Sequence, residues 1–600
     1  MPASALVQPL MDVEVESNRR MCCTPCWISG GDSHDIQKQM RWSTIMSLHG
    51  AFEIGRSALM TSQLAMRIAG NNMANAVTPG YARRTVHLSA MQGWGGVGQG
   101  VAFSAARREI DMALQARFRD AISREASASV DQRFLGAIES LQNELGDTDL
   151  SSSLSEFFNA FSELANTPSD TALRSLIVEH GATLSGGIND LRSQYHDLGN
   201  EIVSSIESAV EQVNSLLNQI AELNEQIVSE GGADDSVLMD ERDVLITELS
   251  QFMDVSTVQQ DSGMADVFVG SVPLVLGNEA RGVEVQIENG THGLAEASIR
   301  VQADGSALPV STGLLGGLLR QRSETVIPAI ETLETFAREL IWQVNRLHSQ
   351  GQGLSGYESI TSGIAVEDLE TPLNQLLDYP ISNGSFSIHL RDPDTGQVVD
   401  TWTIDVDGSE MSMNELFQAI TLGTDSTVIA TATTDGRLHL EAPAGLEIMF
   451  SEDSAGVLAA LEMNTFFSGS TAGDISVSEF MRANSNLIAS GSDTVEGSAG
   501  AALAIAGLRE SVIEALGDQS LTAFWTGAVG SLAVQTSSAT GAYGAAAMVR
   551  DGLSAQVQSV SGVSIDEESI NLLTYERQYQ AAARYLEVLD ETVQTLLSMV

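Results

Sequence analysis

Cys22, Cys23 and Cys26 offer the one spacing in this chain that suits a metal, since Cys23-x-x-Cys26 is half of a zinc site. His34 is the only histidine near them, and no fourth ligand follows. Other reactive patterns are absent. Lys38 is the sole lysine, which removes a phosphate-loop lysine, a Schiff-base lysine and a polybasic membrane patch together. The histidines form no His-Glu-x-x-His and no pair within one helical turn, and no Gly-x-Ser-x-Gly elbow occurs. Asp394, Asp405 and Asp407 lack the Asp-x-Asp-x-Asp-Gly loop with a distant Glu that calcium needs, so turn and solvent roles are expected for them. Gly93 to Gly100 is glycine-rich but lacks the strand-then-helix setting of a dinucleotide loop. Asp240-Glu241-Arg242-Asp243 opens a helical run, and its mixed charges read as a solvated helix face. These residues predict no enzyme, no cofactor and no bound metal.

Composition narrows the classes further. Six hundred residues make several domains. A net charge of −49 argues against nucleic acid as a partner, because phosphate binding needs clustered Lys and Arg, and it suits a solvated exterior that resists unwanted association. No apolar run reaches the eighteen or so residues of a membrane helix, so no membrane insertion is expected. Residues 1–45 show no apolar core followed by a small-residue cleavage site. All the cysteines lie in this leader, and Met46 is the expected start of the working protein, with no cysteine after it.

The elements that organise the chain are its ends. From Leu572 the large apolar and small residues keep one heptad register: Leu572, Tyr575, Tyr579, Ala582, Leu586, Leu589, Val593, Leu596, Val600. Such a stripe needs a partner helix, because an isolated helix is marginal in water. The candidate partner is a second heptad: Ile45, Leu48, Phe52, Gly55, Leu59, Ser62, Met66, Ala69, Met73, Ala76. Its small residues let two backbones come close. It must end near Asn71-Asn72-Met73-Ala74-Asn75, because Thr78-Pro79-Gly80-Tyr81 follows and Pro79 disfavours helix at Thr78. Asn71, Asn72 and Asn75 are read as hydrogen-bonding between neighbouring subunits, with closure of the helix as the alternative.

At these residues the chain resembles the axial proteins of the bacterial flagellum, the rod, hook and hook-associated family. Asn71-Asn72 through Thr78, Pro79, Gly80 and Tyr81 is similar to the family's N-terminal signature. Ser561, Gly562, Val563, Ser564, Ile565, Asp566, Glu567 and Glu568, followed by Asn571-Leu572-Leu573 and Tyr579-Gln580-Ala581, is similar to its C-terminal signature, in the acidic form of the hook-associated branch. The resemblance covers about Met46–Ser250 and Thr312–Val600. It departs at Tyr81-Ala82-Arg83-Arg84, where the family usually has Tyr-Ser-Arg-Gln, and at the charged pair Glu576-Arg577.

Taken in order, the chain divides into a leader (1–45), an N-terminal axial helix and motif (46–106), a helical body (107–254), a β insert (255–311), helix again (312–356), a β-rich insert (357–475), a helical body resuming at Ser476 (476–560) and a C-terminal axial helix (561–600). Phe386, Ile388 and Leu390 alternate, Asp392 to Gly396 turns, and Trp402, Ile404 and Val406 alternate again, which predicts a hairpin. Trp525, Val529, Leu532, Ala539, Tyr543, Ala546, Leu553 and Val557 share a helix face. The fold class is mainly α with β inserts: paired coiled-coil-like terminal helices, a long-helix body and small inserted β domains.

The resemblance implies a structural subunit that couples hook to filament by helical self-assembly. Its expected partners are copies of itself, the hook protein, a second hook-associated junction protein and an export chaperone on the C-terminal helix. It implies export through the flagellum's own type III apparatus to an extracellular site. The expected assembly interface is Phe52, Leu59, Met66, Asn71, Asn72, Asn75, Leu572, Tyr575, Tyr579, Leu586, Leu589, Val593 and Leu596. Two alternatives stay open: another axial protein such as a hook or distal-rod subunit, or a secreted adhesin or hydrolase carried on axial-type ends.

Overall fold

The computed structural model describes residues 33–92, 98–143, 149–230, 236–290, 294–492, 495 and 497–599. Cys22, Cys23 and Cys26 lie outside the described residues, as does most of the glycine-rich stretch after Met91. The chain is mainly helical with several small sheets, and it forms two compact units. Of the described residues, one takes those up to Ala74, those within Thr85–Ala106 and those from Ser564 on; the other takes those within Asn75–Arg84 and Arg107–Val563.

The first unit holds α1 (Ser33–Ala74), α13 (Ile565–Ser598) and most of a hairpin of β1 (Arg84–Ala90) and β2 (Val101–Arg108). α1 runs without interruption through Met46 and stops just before the Asn75 to Tyr81 turn, where Pro79 had to stop it. α13 begins behind its N-cap Ser564, with Asp566, Glu567 and Glu568 in its first turn. Carboxylates there complement the positive end of the helix dipole, each by about 0.3–1 kcal/mol. The two helices pack along each other, and Ser57 Oγ accepts a hydrogen bond from the Val101 backbone, holding β2 to α1.

The second unit is built on α2 (Met112–Gln142), α3 (Leu150–Asn166), α4 (Thr171–Glu230) and α5 (Ser236–Leu249). α4 buries Ile202, Ile206, Ala209, Val213 and Ile220, which recur at helical spacing along one face. Then come β3 (Val255–Gln259), β4 (Ala265–Val269), β5 (Val272–Leu276) and β6 (Glu279–Ala280) in one antiparallel sheet, and β7 (Val283–Asn289) paired with β8 (Ala295–Val301). α6 (Gly313–Gln321) passes through a π-helical turn, Arg322–Val326, into α7 (Ile327–Ser349).

The β-rich insert holds β9 (Ser359–Thr361), β10 (Gly384–Arg391), β11 (Val398–Val406), α8 (Met413–Gly423), β12 (Ile429–Ala432), β13 (Leu438–Glu441), β14 (Glu447–Ser451), α9 (Val457–Ala460) and β15 (Phe467–Ser468), the last paired with β16 (Ser476–Val477). The predicted hairpin is present, with Phe386 opposite Ile404 and Ile388 opposite Trp402. The insert shares one continuous core with the helices. Phe157 and Phe161 of α3 meet Phe466 at 5.3 and 5.8 Å between ring centres, and Phe467 stands perpendicular to Phe466 at 4.9 Å.

One expectation fails here. Helix does not resume fully at Ser476: α10 (Glu479–Ala483) and α11 (Gly500–Gly507) are short, and a long helix returns only with α12 (Leu521–Ser561). The backbone between them bonds elsewhere. Gln352 N–H donates to Gly491 O (2.8 Å), Ser490 N–H to Gln352 O (3.0 Å) and Ala489 N–H to His348 Nε2 (2.9 Å). Tertiary partners have replaced the helical ladder. α12 then packs on α2, with Trp525, Leu532 and Ala539 buried on the face the sequence indicated.

Candidate functional site

Two constellations carry the residues singled out in the sequence, one in each unit. In the first unit α1 and α13 run antiparallel, with Gly55 beside Leu586 near one end of the contact and Asn72 beside Glu568 at the other. A Cβ on Gly55 would sit 2.5 Å from Leu586 Cδ2, so only glycine allows this approach. Leu572, Tyr575, Tyr579, Leu586, Leu589 and Val593 are half-buried, Ala582 is buried, and Phe52, Leu59 and Met66 are half-buried. The off-stripe residues Glu576, Arg577, Glu587, Asp590 and Glu591 are exposed. Leu596 departs from the stripe, at 47% exposure.

Asn72 is 1% exposed, and its amide donates to Glu568 Oε2 at 3.1 Å. Glu568 is itself buried and also accepts from Asn571 (3.4 Å), while Ser569 Oγ meets Met73 Sδ at 3.7 Å. Asn72 therefore makes its bond inside the chain, between the two end signatures, where the sequence reading has it reach a neighbouring subunit. Asn71 is exposed. Asn75 closes the turn after α1, its carbonyl accepting from Thr78 N–H (3.0 Å) and its side chain from Thr78 Oγ1 (3.3 Å).

A second apolar face lies on the far side of α13. Ile570, Leu573, Ala581 and Val588 are exposed, with Ile570 at 64%, Leu573 at 54% and Val588 at 56%. At 100° per residue they stand roughly opposite the stripe that meets α1. The heptad reading passed over this face because Arg577 and Arg584 interrupt it.

In the second unit the motif turn packs on α5. Thr78, Pro79 and Gly80 are exposed at the turn, and Tyr81 is half-buried under the Arg84 guanidinium, 5.0 Å from its ring centre. Gly80 has φ +78°, and a Cβ there would also collide with Val244. Arg83 N–H donates to the carbonyl of Ser561 at 2.8 Å, and Glu109 N–H donates to Arg83 O at 2.8 Å. Ser561 ends α12 as a buried residue, with Gly562 and Val563 half-buried after it. The two signatures thus meet twice, through Arg83 and Ser561 in this unit and through Asn72 and Glu568 in the other.

Beside this turn the expectation of a solvated face at Asp240 to Asp243 holds for the exposed Glu241 but is overturned at Asp240 and Arg242. Asp240 is 7% exposed and Arg242 is sealed. Arg84 pairs with Asp240 (3.4 Å), Arg108 Nε pairs with Asp240 (2.8 Å) while its Nη2 bonds Asp243, and Arg119 reaches Asp243 (3.6 Å). Arg242 Nη1 donates to Asn224 Oδ1 (2.9 Å) and Gly263 O (2.7 Å). Burial pushes the Asp240 carboxyl above its ordinary range, against the pull of Arg108 and Arg84. Burial likewise lowers Arg119 and Arg242. Arg84, one of the departures from the family pattern, belongs to this cluster. Its partners lie 156 residues away in sequence, so the mixed charges gave no local sign of burial.

Neither constellation has the parts of a reaction centre. The carboxylates of the cluster are shared among guanidinium groups, which stay charged near neutral pH. Among the described residues no group of three His, Cys, Asp or Glu could hold a metal ion, and no helix is long and apolar enough to cross a membrane.

Comparison with known proteins gives a consistent result. Residues 135–361 match the model of the flagellar hook-associated protein FlgK helical domain. Residues 52–81 match the flagella basal body rod protein model, and residues 555–599 match the flagellar basal body rod FlgEFG protein C-terminal model. The chain is 25% identical over 566 residues to flagellar hook-associated protein 1 of Salmonella typhimurium, covering 90% of this chain and 98% of that protein. The same protein of Escherichia coli is 24% identical over 568 residues with the same coverage. That of Bacillus subtilis is 30% identical over 234 residues, 37% of this chain and 45% of the other. Among solved structures, the flagellar hook junction protein FlgK of Burkholderia pseudomallei has a TM-score of 0.50 at 18% identity, covering 74% of this chain and all of that one. That likeness speaks to the fold.

Proposed function

We propose that this chain, a member of the flagellar hook-associated protein 1 family and a structural component of the bacterial flagellum, joins hook to filament by stacking copies through α1 and α13. The observation that carries this reading is the incomplete burial of the terminal unit. Among the described residues, the apolar side chains buried there are Ala65, Ala69 and Ala582, while every larger one keeps part of its surface in water. A pair of helices left in that state gains by meeting further helices.

The pairing of α1 with α13 is read as a coiled-coil-like seam inside one subunit. The surfaces offered to neighbours are then the exposed face of Ile570, Leu573, Ala581 and Val588, together with the exposed Asn71. This moves the assembly role off Leu572, Tyr575, Tyr579, Leu586, Leu589 and Val593, which stabilise the helix pair that presents the face. Neighbouring partners are copies of the chain, the hook protein on one side and a second junction protein on the other. Before assembly an export chaperone covers α13, and the chain passes through the type III apparatus to the cell exterior.

A deletion strain tests the function directly. Hooks without filaments, seen by electron microscopy and restored by the intact gene, are the expected outcome. Normal filaments in that strain would replace this reading with a dispensable surface protein on axial-type ends.

A further inference from the structure

Between α6 and α7 the π-helical turn Arg322–Val326 leaves Arg322, Thr325 and Val326 buried together. Turns of this kind recur at functional sites. Arg322 is 3% exposed, and its Nε and Nη2 are sealed from water with no hydrogen-bond partner among the described residues. Arg174 is also buried, but its two Nη groups donate to Ile488 O, Pro168 O (2.7 Å) and Ser490 Oγ (2.7 Å), which leaves only its Nε without a partner. A desolvated guanidinium without such acceptors is unfavourable unless something else meets it.

Arg322 lines a cavity of about 870 Å³ between the β7–β8 sheet and α6. Its walls are mixed: Leu294, Ile299, Leu308, Leu319 and Ile327 supply an apolar part, and serines and charged side chains the rest. The neighbouring Arg320 is engaged by Asp131 at 2.7 Å, so Arg322 is the cation left for a ligand. Glu296 and Glu324 also line the cavity, and the field of Glu296 reaches Arg322 without a hydrogen bond between them. Those carboxylates penalise a multiply charged anion and leave room for a singly charged one.

We propose that this cavity binds a carboxylate carried on an apolar body, with Arg322 as its anchor and the leucine-lined wall as its apolar seat. The volume is in the range of small-ligand sites. Two sources present that chemistry: a free amphiphilic carboxylate, or an acidic side chain within an apolar segment of a second copy of this chain. The site is independent of assembly through the terminal helices.

The test uses the full chain and sodium octanoate as the probe. Calorimetric titration is expected to show saturable one-to-one binding, with 1-octanol weaker by about tenfold or more. Arg322→Met is expected to weaken octanoate by about tenfold while its urea midpoint holds or rises, because a buried unpaired charge has been removed. Glu296→Gln is expected to tighten octanoate by about two- to fivefold through loss of the competing charge. Sedimentation then separates the sources. If octanoate and Arg322→Met both weaken self-association, the carboxylate comes from a second copy; if self-association is unmoved, the ligand is a free carboxylate. No octanoate binding up to about 10 mM, or equal binding by wild type and Arg322→Met, overturns the proposal. Should Arg322→Met fail to fold, unchanged affinity in Glu296→Gln overturns it instead.

Discussion

The terminal-helix unit and the body bury their side chains in opposite ways. In the body, Phe134, Phe157, Phe158, Phe161, Phe336 and Trp525 are sealed at 0–1% exposure. In the terminal unit Phe52, Leu59, Met66, Leu572 and Leu586 are half-buried, and small residues such as Gly55, Ser62 and Ala69 occupy the seam. Charge does not divide the same way: α13 alone carries Asp566, Glu567, Glu568, Glu576, Glu587, Asp590 and Glu591 against Arg577 and Arg584, so for its length it is at least as acidic as the chain as a whole. A sealed core with a charged exterior stands alone and resists association. Two helices with half-covered side chains gain by meeting further helices, which is the role proposed for them above. On that proposal, folding falls to one unit and polymerisation to the other.

The largest effect expected from breaking this contrast lies in the body. Asp240→Ala leaves Arg84 and Arg108 without their shared carboxylate in a buried site. Breaking a buried pair in this way costs about 3–5 kcal/mol. Urea unfolding of the full chain should show that loss in the body's transition. A loss below about 1 kcal/mol would mean that the cluster behaves as a surface network.

Next comes the seam. Leu586→Asp removes apolar burial worth about 1.5–3 kcal/mol and forces a carboxylate against Gly55. The variant should be exported and lost to the medium, with bare hooks left behind, while the body's unfolding midpoint stays where it was. Glu587→Ala, exposed and off the stripe, is the control, with a change below about 0.5 kcal/mol. If both variants swim, the α1–α13 pair does not present the assembly surface.

How much of this was legible depends on how far apart the partners are. The stop of α1 at Pro79, the hairpin around Asp392 to Gly396 and the stripes of α12 and α13 are local patterns, and periodicity exposed them. The buried state of Asp240 and Arg242 depends on Arg84, Arg108 and Asn224, so the quartet looked like an ordinary wet helix face. Phe157 and Phe466 meet across more than half of the chain, and nothing local marks either as a core anchor. On α13 periodicity identified one apolar face correctly. It also pointed to the heptad of α1 as the partner, but it gave no sign of the second, exposed face on the opposite side of α13.

A smaller effect is expected in the body's response to acid. His348 is sealed, with Nδ1 on Asn464 O (2.7 Å) and Nε2 accepting from Ala489 N–H (2.9 Å), and burial lowers it to about 4. Between that value and the unfolded value of about 6.5 the unfolded chain binds a proton that the folded chain refuses. Stability from His348 therefore falls as pH drops through this window. Asp453, which accepts from Val457 and Leu458 N–H, is raised to about 6 by burial. Between there and about 3.9 the folded chain holds the extra proton, so its contribution grows as pH drops. The two offset each other, and wild-type stability should be nearly level from pH 6 to 4 on their account. Asp453→Asn removes one arm, and stability should then fall by about 1.4 kcal/mol per pH unit in that window. An equally level profile in the variant would show that His348 is protonated in the folded body.

The smallest effect on stability belongs to the face proposed above for assembly. Val588 is 56% exposed on the side of α13 turned away from α1. Val588→Asp therefore buries no charge in the isolated subunit and should change its stability by less than about 0.5 kcal/mol. In an assembly the same carboxylate would enter an apolar contact between copies, where an unpaired charge is strongly unfavourable. The variant should be exported at wild-type levels, keep the Asn72–Glu568 bond and the fold of both units, and yet leave hooks bare. Leu586→Asp and Val588→Asp then give the same motility defect for different reasons, and amide exchange of the purified subunits tells them apart. Protection along α1 is expected to drop in Leu586→Asp and to stay at the wild-type level in Val588→Asp. Normal filaments on Val588→Asp cells would mean that copies meet through some other part of the terminal unit, and the half-covered stripe facing α1 would again be the first surface to test.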